Sequence, residues 1–422
     1  MENTLVKKQL KLSLPMAFEN FITTLMSLID TVVVANLGVQ YLTAIGAISV
    51  VINILQIIPQ SFSISNVALI TKTEDDKIQK KYLSNSINLC FYFSILCIII
   101  TLAISPVIPS LFNIDKIGNI YLYIRLAGFI QASLATIMYG YLRVIGKQNI
   151  VLAIQVVSVI ANLILDIVAC FVGGGLIGVA LSTIAIETIS MVICFMLING
   201  NTKIKLEKTE SKDILNFFKW NFTERIISKV DYFVFNILVS RMGTNEYAVH
   251  TVFIQINDTM QSFVQGYSDG FAISIGKINN EEELKNSTNI FKKMFFYSTI
   301  IFTFLMIAVS LIVIFISFKD QSLIYLSLEL LPFLILTTIL LTLGSYYFSH
   351  LRGIRKFKFL AIRNLISSFL KIVIATILSF TILGIFGVWT AHIVYHTSQY
   401  IISRIYFDKL NRKPFNIKNT TL

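Results

Sequence analysis

Two aspartates stand in stretches that otherwise read as lipid-buried helix. Asp30 lies in ITTLMSLIDTVVVANLG and Asp166 in VIANLILDIVACFVG. A carboxylate at membrane depth costs roughly 2.5 kcal/mol or more to place there. Such residues usually face a bundle interior or a wet cavity, where they bind ions or relay protons. Asn162 precedes Asp166 by four residues, so a helix puts both on one face. If Asp30 points at them, two carboxylates and an amide meet in a low-dielectric pocket. Such a pair holds one proton, or a Na⁺ in its place, and titrates as a unit. Carboxylate, amide and hydroxyl oxygens suit a hard cation. Asp30, Asn162 and Asp166 are then the metal ligands if the ion is Na⁺. One charge crossing the membrane potential is worth about 2.3 kcal/mol per 100 mV, a usable drive for moving a solute outward.

The elements that must position these residues are long apolar runs. Of the 422 residues, 55% are hydrophobic and 14% charged, well under the roughly 25% charged of a soluble domain. Twelve runs are long enough to cross a bilayer. They fall near 13–36, 42–70, 84–107, 119–143, 148–172, 175–199, 214–241, 247–276, 290–317, 323–350, 359–383 and 386–408. No apolar–polar alternation points to a β-barrel, so an all-α, polytopic membrane protein is expected. The loops and termini of one face carry 26 basic residues, whereas the alternate loops carry 3, Lys116, Arg241 and Lys319. That bias puts both termini in the cytoplasm of a protein of the inner membrane. It also accounts for the net charge of +12 without nucleic acid as a partner; membrane lipids are the expected surroundings. The first run contains Pro15, Glu19 and Asp30, too long and polar for the core of a cleaved signal peptide. Cys90, Cys97, Cys170 and Cys194 fall inside spans without CxxC spacing and read as small packing residues.

The polar linker NTKIKLEKTESKD (201–213) divides the chain into residues 1–200 and 214–422, with six spans in each. Shifted by 205 residues, the halves match at 9 of 58 positions over 15–72. Those matches pair Glu19 with Glu224, Gly38 with Gly243, Gln56 with Gln261, Gln60 with Gln265, Ser63 with Ser268 and Lys72 with Lys277. A duplicated six-helix lobe with both copies in one orientation is a transporter architecture that works by alternating access. Asp30 meets Phe235 in this register, so the ion chemistry is expected in one lobe only.

The first span resembles the opening of transporters of the multidrug and toxic compound extrusion (MATE) family. That family opens with Leu-Pro, an apolar helix bearing Asp-Thr, and a short Leu-Gly turn. The counterparts here are Leu14-Pro15, Asp30-Thr31 and Leu37-Gly38. YLYIRLAGF (121–129), GYLRVIGKQN (140–149), ANLILD (161–166), GLIGVALST (175–183) and SRMGTNEYAV (240–249) then follow in the family's order. The resemblance is closest to the DinF-like branch of the MOP superfamily. It implies two pseudo-symmetric six-helix lobes around a central cavity, ion-driven export and an amino-lobe cation site. Carried over, that site comprises Asp30, Tyr121, Asn162, Asp166 and a sixth-helix hydroxyl at Thr183. Tyr139 stands where the family has Asn.

Other polar residues in the spans are candidates for lining a substrate cavity: Glu19, Gln56, Gln60, Tyr139, Glu224, Asp258, Gln261, Gln265 and Asp269. Glu187 and Glu329 are further candidate buried acids, and Arg363 and Lys371 could neutralise acids or meet an anionic solute. Arg225, Lys229 and Asp231 give the seventh span charges suited to pairing between helices. His392 and His396 are spaced for a metal, but without HExxH or a clear third ligand they read as packing residues. No GxxxxGK[ST] loop occurs, which removes ATP hydrolysis as the engine. The expected activity is cation-coupled (Na⁺ or H⁺) export of a bulky, often cationic organic solute, with no cofactor and a monomer sufficing. The rivals are a flippase for lipid-linked precursors, a membrane-embedded enzyme and a passive channel. The enzyme reading lacks a metal motif or an acid cluster, because Glu74-Asp75-Asp76 is flanked by lysines.

Overall fold

The computed structural model describes residues 2–71, 75–114, 117–198, 208–276, 278, 281–354 and 356–411, and among them all regular structure is helical. The helices are α1 (Glu2–Ala35), α2 (Val39–Leu55), α3 (Ile57–Ile70), α4 (Asp76–Ile104), α5 (Ile108–Phe112), α6 (Ile117–Val144), α7 (Gln148–Phe171) and α8 (Gly175–Leu197). They continue with α9 (Lys208–Ser240), α10 (Thr244–Gly276), α11 (Glu281–Ser317), α12 (Gln321–Gly353), α13 (Phe357–Ser379) and α14 (Gly384–Asn411). The break at Gln56 divides the second span into α2 and α3. Pro106 and Pro109 shape the end of the third, where a 3₁₀ turn leads into α5. Twelve spans result. Among the described residues nine are long and apolar enough to cross a membrane on composition alone. Those of α9, α10 and α14 are not among them, and they carry charges and histidines such as Arg225, Asp231, Asp258, His250 and His392.

Local chemistry sets the ends. Asp75 caps α4 by accepting from the Lys77 backbone N–H at 2.8 Å, and Asp320 caps α12 through Ser322 at 2.9 Å. Gly173 and Gly175 take positive φ (80° and 50°) in the tight turn between α7 and α8, where a side chain would be strained. Helices run past the expected spans: the first starts at Glu2 rather than 13, and the third occupies Asp76–Phe112 rather than 84–107. Of the expected linker, residues 201–207 lie outside the described residues and 208–213 open α9. Lys72, Glu74, Lys116, Lys277 and the tail 412–422 also lie outside them.

Packing divides the chain into two compact units, residues 29–244 and residues 1–28 with 245–422. They are called here the amino-terminal and carboxy-terminal units. In the amino-terminal unit, Phe62 on α3 stacks on Phe218 of α9 at 4.2 Å, within a core that includes Leu83, Ile137, Leu142 and Ile198. In the carboxy-terminal unit, α1 and α10 touch backbone to backbone. A Cβ on Gly270 would lie 2.6 Å from Ser13 Cα, and one on Gly266 would lie 2.8 Å from Ala17 Cα. Without a hydrophobic drive between helices in lipid, close approach over small residues is how such contacts gain energy.

Candidate cation-coupling site

The pattern on α7 is inverted relative to a water-soluble helix. Val157, Ile160, Ile164 and Val168 are at least half exposed, while Asn162 and Asp166 are completely buried. A helix with its apolar face toward lipid and its polar stripe toward protein reads this way. Asn162 Nδ2 donates to Asp166 Oδ2 at 2.8 Å, one turn along the same helix. It also donates to Asp30 Oδ1 at 2.7 Å, tying α7 to the end of α1. Both hydrogens of one amide are thereby committed to two carboxylates. Thr183 on α8 faces Asp30 Oδ2 at 3.3 Å and shares its single proton with the Val179 carbonyl at 3.0 Å. The two carboxylates lie within hydrogen-bonding reach of each other, and Ser182 stands beside Asp166.

Two oxygens of this cluster, Asn162 Oδ1 and Asp166 Oδ1, are buried with no donor. An unmet buried acceptor costs about 1–3 kcal/mol, more when charged. Two acceptors in one cluster of carboxylate and amide oxygens fit a hard cation or a shared proton. Tyr121 is buried on α6 in the field of both aspartates, without a hydrogen bond to either. Of the five expected coupling residues, Asp30, Asn162, Asp166 and Thr183 form one hydrogen-bonded cluster and Tyr121 borders it.

Arg125 escaped the sequence reading as a site residue. It lies one turn beyond Tyr121 on α6 and donates through Nη2 to Glu187 Oε1 at 3.3 Å. Glu187 lies one turn beyond Thr183 on α8. Asp30 feels the field of Arg125, and Glu187 that of Asp30. The signal was present: an arginine inside an apolar span, four residues after a candidate ligand. Gly128 makes the pair possible, since a Cβ there would sit 2.6 Å from Ile184 Cγ1 and 3.2 Å from Glu187 Oε2.

The cavity candidates fall in both units. Gln56 marks the joint of α2 and α3, and Gln60 accepts from Arg225 Nη1 at 2.7 Å. Tyr139 neighbours Ser190, which meets Ser158 at 2.9 Å. In the carboxy-terminal unit, Gln265 donates to Asp269 at 2.8 Å and Asp269 pairs with Arg352. Glu19, Asp258 and Gln261 are partly buried there. The Glu224 side chain lies outside the described residues. Glu329, expected as a buried acid, is exposed on α12, because its helical position turns it away from buried Ser327 and Leu330. Arg363 is buried and, among the described residues, meets no carboxylate. It donates to Ser403 and Asn364, each at 3.0 Å, and lies over the Phe348 ring. His392 and His396 are buried with rings edge to face at 5.0 Å, and among the described residues no three His, Cys, Asp or Glu side chains group to hold a metal.

Twelve helical spans, some with acids buried inside them, define a polytopic membrane protein. The MatE family model matches residues 15–168 and again 222–377, so this chain belongs to the MATE family of transporters, which are not enzymes and use no cofactor. That the model matches each half accords with the internal repeat. No curated relative matches by sequence. The fold is that of a multidrug-resistance MATE transporter of the MOP superfamily solved facing inward. The TM-score is 0.78 at 19% identity, over 92% of this chain and 96% of that one. The outward-facing form of such a transporter gives 0.69 at 18% identity, over 96% of each chain. A MOP-superfamily transporter from Pyrococcus furiosus gives 0.71 at 18% identity, also over 96% of each. The chain is thus a multi-pass membrane transporter by family.

Proposed function

We propose that this chain is an antiporter that exports bulky, often cationic organic solutes in exchange for Na⁺ or H⁺ moving inward through Asp30, Asn162 and Asp166. One observation carries the reading: a single amide bridges two buried carboxylates at 2.7 and 2.8 Å while two oxygens of the cluster lack donors. With a cation or shared proton bound, the carboxylates are neutralised and the oxygens satisfied. When it leaves, like charges face each other in a medium that screens them poorly. The two states therefore favour different arrangements of α1, α7 and α8, and that difference drives the change of access. Repeated lobes at 1–200 and 214–422, with both termini in the cytoplasm, suit this cycle. A monomer holds the whole coupling cluster.

The test is efflux from proteoliposomes with imposed Na⁺ and H⁺ gradients, using a panel of cationic dyes and peptides. Export that follows one gradient supports the reading; export that ignores both, or persists unchanged in Asp30→Asn, refutes it.

A second reading of the cargo rests on its own observation. Among the described residues, the buried charges of the carboxy-terminal unit, Arg363 and Lys371, are basic, which suits a lipid-linked or amphipathic precursor bearing anionic groups. The similar Pyrococcus furiosus transporter is reported with a binding pocket of reversed polarity. Adding anionic amphiphiles and a phosphate-bearing lipid to the panel separates the two cargoes.

A further inference from the structure

Arg125 and Glu187 are placed to do more than hold α6 to α8. Their contact is a single one, Nη2 to Oε1 at 3.3 Å, rather than a two-pronged pair. Arg125 Nη1 is buried with no acceptor. Within the same cluster, Asn162 Oδ1 and Asp166 Oδ1 are buried with no donor. One unsatisfied cationic donor and two unsatisfied acceptors thus share one buried region.

Helical spacing sets the pair one turn from residues of the cluster. Thr183, which faces Asp30 Oδ2 at 3.3 Å, is one turn from Glu187, and residues one turn apart have Cβ atoms about 5–6 Å from each other. Tyr121, one turn from Arg125, already lies in the field of Asp30, Asp166 and Glu187. The two ends of the pair also differ in freedom. Glu187 Oε2 is 3.2 Å from where a Gly128 Cβ would stand, so the close approach of α6 and α8 confines the carboxylate. The longer arginine, with one nitrogen unbonded, is the end that can swing.

We propose that Arg125 is a built-in stand-in for the coupling ion: it rests on Glu187 while Asp30 and Asp166 hold a cation, and turns to Asp30 when that cation leaves. The inference rests on the coupling site proposed above. No bond is made or broken; one positive charge exchanges for another beside the same carboxylates. The exchange removes the cost of an empty, doubly charged cluster and makes Arg125 a competitor of the incoming ion. Arg125 is in this sense a positioning residue for the transport cycle.

The test uses the full chain in proteoliposomes on a solid-supported membrane, reading charge movement after a Na⁺ jump or a pH jump, with no organic solute. Arg125→Gln removes the competitor, and the half-saturating Na⁺ (or proton) concentration falls by about tenfold. Glu187→Gln frees Arg125 to occupy the site, and half-saturation rises by about tenfold. A fixed ion pair would also give opposite shifts by simple electrostatics, so the double variant decides. If Arg125 swings, Glu187→Gln has little further effect once Arg125 is Gln. If the pair is static, the Glu187→Gln shift persists in full and the proposal is overturned. Arg125→Lys keeps the charge on a shorter, unforked side chain and should restore half-saturation toward wild type. Should Arg125→Gln fail to fold, Arg125→Met, which keeps the apolar stem and removes the charge, takes its place in the same double-variant comparison. Charge movement that survives in Asp30→Asn overturns the coupling site and this inference together. A wild-type response lost in Asp30→Asn but shifted equally by Glu187→Gln in both Arg125 backgrounds overturns only this inference.

Discussion

The two units differ in the charges they bury most deeply. Among the described residues, the fully buried acids Asp30, Asp166 and Asp231 lie in the amino-terminal unit. The fully buried bases Arg363 and Lys371 lie in the carboxy-terminal unit, together with all four histidines of the chain. The surroundings differ as much as the signs. Two of the acids share one amide, which concentrates negative charge and leaves acceptors open. The described contacts of the bases are of another kind: Arg363 donates to Ser403 and Asn364 and lies over the Phe348 ring, and Lys371 lies over the Tyr395 ring at 5.4 Å. Aromatic faces attract a cation through the ring quadrupole. The amide-bridged pair of acids thus occurs in one unit, and the proposed cation coupling would belong to that unit.

That contrast can be broken at several points. The largest effect is expected from Asp30→Asn or Asp166→Asn, which should bring gradient-driven efflux to background while the protein stays in the membrane at wild-type levels. Asn162→Ala comes next. It removes donors to both carboxylates, and hydrogen bonds to charged groups are worth about 1.5–3 kcal/mol each, so the half-saturating cation concentration should move by at least about tenfold. Thr183→Val should shift it only a few-fold, roughly 1 kcal/mol, because the hydroxyl proton is shared with the Val179 carbonyl. Arg363→Gln sharpens the comparison from the other side. Thermal stability should fall as the bonds to Ser403 and Asn364 are lost, yet half-saturation for the cation should stay within about twofold, as expected for uncoupled sites. A large shift there would mean that the two units share the coupling chemistry.

Much of this was legible in the sequence because membranes impose few choices. Apolar runs of fixed length gave the spans, and carboxylates inside them gave Asp30 and Asp166. Helical spacing added Asn162, while the family pattern added Thr183 and Tyr121. The misses have physical causes. Helix ends extend into water, where hydropathy no longer marks them, so α1 and α4 start before the expected spans. Arg125 was hidden because its partner Glu187 is 62 residues away, and sequence spacing reports only neighbours on one helix. Glu329 was misjudged because an acid in an apolar run can lie on either face. One bond of Arg225 does cross to another helix, at Gln60 of α3, an amide partner that no charge pattern could reveal.

The central claim is that one buried acidic cluster, and not the basic interior of the other unit, binds the coupling cation. Its most direct test is the charge displaced by a Na⁺ jump or a pH jump in wild type, Asp30→Asn, Asp166→Asn and Lys371→Gln, at matched protein density. Displacement should collapse in both aspartate variants and be retained in Lys371→Gln. Displacement retained in the aspartate variants, or lost in Lys371→Gln alone, would contradict the claim.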